Sequence, residues 1–103
     1  MSIAEDQTVQ VSVTSRHFKA SDTLKTFIED EIRKLGRYYG KTLSYRVILT
    51  EEPAERTAEI LANTKGRQFT VIERDQDMKK AVATAIEKLR GQMVRHKEKV
   101  TSK

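Results

Sequence analysis

Apolar and polar positions along the chain divide it into six periodic segments. Val9, Val11 and Val13 alternate with polar residues across Thr8 to Ser15, the period of two that predicts a strand with one buried face. Leu24, Phe27, Ile28, Ile32 and Leu35 then recur at spacings of three and four. That spacing predicts a helix running to about Tyr38, with Ser21 or Asp22 as its cap and Gly40 as a stop. Leu43 to Thr50 and Gln68 to Glu73 are rich in β-branched and aromatic residues and predict strands. Thr57 to Asn63 would tolerate a helix on composition, but Thr64-Lys65-Gly66-Arg67 reads as a hairpin turn joining it to the strand that follows. The last segment, Asp77 to about Lys99, carries Met78, Val82, Ala85, Ile86, Leu89 and Met93 in one stripe. It predicts a long amphipathic helix capped by Asp75 or Asp77.

The order strand, helix, three strands, helix predicts an α+β fold. The helix between the first two strands permits a parallel crossover, and the two short links that follow dictate antiparallel hairpins. Two helices with one apolar stripe each would cover one face of a four-stranded sheet. In the second strand apolar residues fall on both phases, Val47 and Leu49 against Ile48, so either face could be the covered one. The 103 residues suit one domain, with an ordered core over about residues 8–99 and a polar, loose start from Met1 to Gln7.

Charge sharpens this picture. From Lys79 to Lys103 there are eight Lys or Arg against two Glu, a balance of +6; the other residues hold twelve against thirteen, so the whole excess of +5 sits on the final helix and tail. At about 100° per residue, Lys79, Arg90 and Lys97 fall along one edge of the apolar stripe, and Lys88, Arg95 and Lys99 along the other. In the first helix Glu29 with Arg33 and Asp30 with Lys34 form i, i+4 pairs, leaving Lys34, Arg37 and Lys41 near its C-terminal end for an outside anion. A solvated helix face is the plain reading of such charge. The concentration of cations on one element favours a polyanion partner.

Candidate chemistry is sparse. There is no Cys, so disulfides and thiolate sites are excluded, and His17 and His96 have no metal-ligand spacing. His96 reads as a solvent-exposed helix residue. Glu73, Asp75 and Asp77 form an acidic group just before the final helix, but helix capping explains two of them. Neither GxxxxGK[ST] nor GxGxxG nor GxSxG occurs. These absences point away from an enzyme, a cofactor or a small-molecule substrate. No run approaches the roughly 18 apolar residues of a membrane span, and MSIAEDQTVQ lacks the basic start and apolar run of a signal peptide, so a cytoplasmic location is expected. Lys65-Gly66-Arg67-Gln68-Phe69 is similar to the opening of an RNA-recognition-motif strand, but Arg67 stands where a stacking aromatic belongs. Recognition of folded RNA by shape and phosphate fits better.

The final helix also carries a resemblance. Gln76-Asp77-Met78, Ala81, Ile86, Lys88-Leu89, Gln92 and His96-Lys97-x-Lys99, with Val13-Thr14-Ser15 and Lys34-Leu35 in support, make the chain similar to the ribosome hibernation-promoting factors, also called ribosome-associated inhibitors or sigma-54 modulation proteins. The resemblance covers roughly Val9 to Lys99. It implies a β-α-β-β-β-α fold like that of double-stranded-RNA-binding domains. It also implies a non-enzymatic stress or stationary-phase factor that sits in the decoding channel of the small ribosomal subunit and blocks messenger and transfer RNA. Carried over by position, the residues facing ribosomal RNA would be Lys34 and Arg37 on the first helix and Lys88, Arg90, Arg95, Lys97 and Lys99 on the last. Lys79, where the family commonly has an aromatic, adds a charge to this set. Long members carry a further C-terminal domain, and this chain resembles the short form. The alternatives are a protein-interaction regulator, for instance of a transcription factor, and a generic binder of structured RNA.

Overall fold

Each periodic segment forms the element its pattern predicts. The structure, a computed structural model, describes residues 9–37, 39 and 42–101, without the side chains of residues 37 and 97–101. The elements are β1 (Gln10–Arg16), α1 (Asp22–Arg33) running into a 3-10 turn (Lys34–Arg37), β2 (Thr42–Glu51), β3 (Arg56–Thr64), β4 (Arg67–Asp75) and α2 (Met78–Thr101). The Ser21 hydroxyl accepts from the Leu24 amide at 3.1 Å, so Ser21 caps α1 and Asp22 takes the first turn, where its charge suits the helix dipole. α1 stops at Arg33 and tightens into the 3-10 turn instead of continuing as α-helix to Tyr38. The turn contains Gly36, a poor helix former, and i→i+3 bonding takes up carbonyls left over at the helix end. Gly40, expected as the stop, lies outside the described residues, as do Met1 to Thr8.

The sheet has strand order β1-β2-β3-β4, with β1 parallel to β2 and the other pairs antiparallel. Register decides the face that the sequence left open. Tyr45, Val47 and Leu49 lie level with Val11, Val13 and Ser15 on one side and with Ala62, Ile60 and Ala58 on the other, and this row is the one the helices cover. Ile48 points to the open face. Gly66 makes the β3–β4 hairpin at φ +91°, a conformation that costs a side-chain-bearing residue energy. The register shift between Thr42 and Ser44 leaves Leu43 exposed.

α2 lies on β3 and β4 and supplies Ala81, Val82, Ala85, Ile86, Leu89 and Met93 to a core shared with Ile28, Ile32, Ile60 and Phe69. The Tyr45 hydroxyl is buried in this core without a well-formed hydrogen bond among the described residues. Burial raises its pKa, and the neighbouring Thr42 hydroxyl offsets part of that.

Three expected outcomes follow, all read by thermal and urea denaturation. Leu89→Ala empties a fully buried site and should cost about 2–5 kcal/mol. Gly91→Ala should instead stabilise by up to about 1 kcal/mol, because a Cβ there meets only the movable Arg95 guanidinium, nearest atom 3.3 Å away. A phenol with a raised folded-state pKa leaves stability untouched below its ordinary value of 10.0 and drains it as pH rises beyond that. Tyr45→Phe should therefore hold stability at neutral pH and flatten the alkaline loss.

Candidate nucleic-acid interface

Seating the α2 stripe inward fixes where the remaining side chains of the helix point, since a straight helix has a single rotational setting over its sheet. Lys79, Lys80, Lys88 and Arg95 emerge as exposed side chains and Arg90 as a half-buried one. Lys34 is exposed at the start of the 3-10 turn. The side chains of Arg37, Lys97 and Lys99 lie outside the described residues. Lys80 belongs to neither edge of the apolar stripe and stands between the two flanks at the exposed start of the helix.

The cations differ in what already holds them. Lys88 Nζ is 2.7 Å from Glu73 Oε2, Lys34 Nζ is 2.9 Å from Glu31 Oε2, and Arg90 Nη2 is 3.5 Å from Glu87 Oε2. The Lys34 partner is thus Glu31 and not Asp30, and Arg33 donates to the Val9 carbonyl at 3.2 Å, tying α1 to the start of β1. Lys79 Nζ sits 4.9 Å from the centre of the Phe27 ring, which bridges α2 to α1. Lys80 and Arg95 make no hydrogen bond or ion pair among the described residues. Ion pairs as exposed as those of Lys34 and Arg90 are worth about 0–1 kcal/mol, so a phosphate can displace the carboxylate at little cost. Lys88 is held more firmly because Glu73 is only 19% exposed.

Local electrostatics separate two groups. Cations toward the C-terminal end of a helix complement its dipole, so Arg95 has a structural explanation as well as a functional one. Lys79 and Lys80 occupy the first turn of α2, where the dipole disfavours cations by about 0.3–1 kcal/mol each, and that turn holds no acid. The start is rescued from outside the helix: Asp77 Oδ1 accepts from the Lys79 amide and Asp75 Oδ1 from the Asp77 amide, both at 2.9 Å. Of the two lysines at that end, Lys79 has a compensating contact in the Phe27 ring and Lys80 has none among the described residues.

The two helices leave a groove of about 300 Å3 lined by Phe27, Leu35 and Ile86 with the Lys34·Glu31 and Arg90·Glu87 pairs at its rim. Lys34 and Arg90, far apart in sequence, thereby line one groove. His96 departs from its expected solvent-exposed place: its ring packs 5.8 Å from Tyr39 and 5.7 Å from Phe69, in a cluster that fastens the end of α2 to β4. Only the fold could bring those three rings together. Among the described residues no group of three or more His, Cys, Asp or Glu could hold a metal ion, and no helix is long and apolar enough to cross a membrane.

Known proteins share both sequence and fold with this chain. Residues 11–101 match the sequence profile of the Sigma 54 modulation protein / S30EA ribosomal protein family. The chain is 28% identical over 91 residues to the ribosome hibernation promoting factor of Azotobacter vinelandii, covering 88% of this chain and 85% of that one. It is 25% identical over 92 residues to that of Escherichia coli K12, covering 89% and 97%. Among solved structures, the N-terminal domain of Thermus thermophilus Protein Y superposes with a TM-score of 0.75 at 26% identity, over 82% of this chain and 94% of that one. A ribosomal subunit interface protein from Coxiella burnetii superposes with a TM-score of 0.80 over 85% and 97%, and at 16% identity that likeness speaks for the fold alone. With nearly all of its described length matched by the profile, the chain belongs to the Sigma 54 modulation protein / S30EA ribosomal protein family.

Proposed function

We propose that this protein is a ribosome hibernation factor: it binds the small ribosomal subunit in the decoding channel and silences translation by occupying the paths of messenger and transfer RNA. It acts by presence and not by chemistry, in the cytoplasm where ribosomes are. Its relatives named ribosome hibernation promoting factor support the reading at the level of the ribosome. The observation that carries it to RNA is the pinned α2, which holds Lys79, Lys80, Lys88, Arg90 and Arg95 on its outward surface and spends two of them where the helix dipole opposes them. Lys34 joins them across the helix groove, and Arg37, Lys97 and Lys99 extend the set by their position in sequence. Each phosphate neutralised releases counterions, so binding is strong at low salt and weakens steeply as salt rises.

Two outcomes are expected. Lys80→Ala combined with Arg95→Ala should lower co-sedimentation with purified small subunits about tenfold or more and flatten the slope of log K against log salt by about 1.5–2. Unchanged co-sedimentation would count against the proposal. Lys80→Ala alone should leave the melting temperature unchanged or raise it, because it removes a cation from the wrong end of a helix. A fall in both stability and binding would mean that Lys80 is structural. A protein partner is separated by nuclease treatment, which should abolish association in a lysate if RNA is the partner and spare it otherwise.

A further inference from the structure

The sheet face turned away from the helices carries a second, chemically different set of groups. Its rows, read across from β1 to β4, are Gln10-Ser44-Asn63-Gln68, Ser12-Arg46-Leu61-Thr70, Thr14-Ile48-Glu59-Ile72 and Arg16-Thr50-Thr57-Arg74. The face holds three arginines, one glutamate and no lysine. Arg74 is committed to Glu55, Nε to Oε2 at 3.4 Å. Arg46 is exposed, central, and makes no hydrogen bond or ion pair among the described residues. It lies at a depression of about 170 Å3 whose other walls are Ser44, Asn63, Gln68 and Leu61. One guanidinium fork, two amides and a hydroxyl thus converge on a space large enough for a phosphate and part of its sugar.

We propose that this open sheet face is a second contact for ribose-phosphate, in which Arg46 takes a phosphate and Ser44, Asn63 and Gln68 take the sugar hydroxyls or base edges beside it. The inference rests on the reading of the protein as a ribosomal RNA binder. Charge complementarity selects the occupant: the cations are arginines, whose planar fork suits phosphate oxygens, and Arg46 and Arg16 outnumber the single acid, Glu59. A protein partner would want an aromatic or clustered aliphatic anchor; this face has no aromatic in any of its rows, and its aliphatics, Ile48, Leu61 and Ile72, are interleaved with Arg46, Glu59 and Thr70. Shape agrees with a contact on each side, since the narrowest extent of the Cα framework is 18 Å, a plate that two RNA walls can hold between them. The two contacts divide the labour: α2 supplies charge, and the sheet supplies hydrogen bonds around one phosphate.

The test compares Arg46→Gln, the pair Asn63→Ala with Gln68→Ala, and the Lys80→Ala, Arg95→Ala protein in titrations against purified small subunits and against protein-free small-subunit RNA at several salt concentrations. All of the substituted side chains are exposed, and melting curves check that each variant is folded. Arg46→Gln is expected to weaken binding about tenfold and reduce the salt slope by about 1, while the amide pair weakens it with the slope unchanged. If both sheet variants bind like wild type while the α2 variant does not, the sheet face is merely solvated and the inference falls with the hibernation reading intact. If the sheet variants lose affinity for subunits but not for protein-free RNA, the occupant is a ribosomal protein, which also overturns the inference. If the wild-type protein binds neither target, the underlying reading fails and takes the inference with it.

Discussion

Everything on the surface of this protein depends on how one helix is seated. Val82, Ala85, Leu89 and Met93 are fully buried against β3 and β4, and Val82, Leu89 and Met93 each contribute about 1.5–3 kcal/mol of burial. That seat sets the rotation of α2, and the rotation sets the direction of its cations. The His96 ring, packed against both Tyr39 and Phe69, fastens the far end, so the helix is held along most of its length and not only at its start. A helix free to roll would present the same charges in no fixed order.

The pinned helix then carries an electrostatic conflict that the fold tolerates. Two lysines stand in its first turn against the dipole, and Asp75, Asp77 and the Phe27 ring make up for them from neighbouring segments. Other cations are parked in ion pairs with Glu31, Glu73 and Glu87. Parking of this kind keeps the free protein from accumulating unscreened charge, yet costs little to undo at the exposed pairs. Lys88 differs, because its release would leave the half-buried Glu73 carboxylate without its partner, a larger penalty than an exposed carboxylate would feel. The helix flank is therefore graded: Lys80 and Arg95 are open, Lys34 is loosely held, and Lys88 is held more tightly.

Much of this was legible in the sequence, for reasons that also explain what was not. Side-chain period decides burial, so the alternation of Val9, Val11 and Val13 and the stripe from Met78 to Met93 gave the elements and their inner faces directly. β2 is apolar on both phases, so its inner face had to wait for the register with Val13 and Ile60. Pairs within one helix, such as Lys34 with Glu31, follow from spacing, although the wrong acid was nearest at hand in the i, i+4 rule. Lys88 with Glu73 and His96 with Tyr39 join residues that only the fold brings together. Arg46 gave no signal at all, since one cation in an alternating strand is what any solvated strand shows.

The central claim is that the outward surface of α2 is the surface that meets the ribosome, and the most direct measurement is lysine reactivity. Acetylation of the protein free and bound to purified small subunits, quantified residue by residue by mass spectrometry, should show Lys79, Lys80 and Lys88 shielded in the complex. If those three lysines react as readily on the ribosome as off it, α2 faces solvent in the complex and the account is wrong.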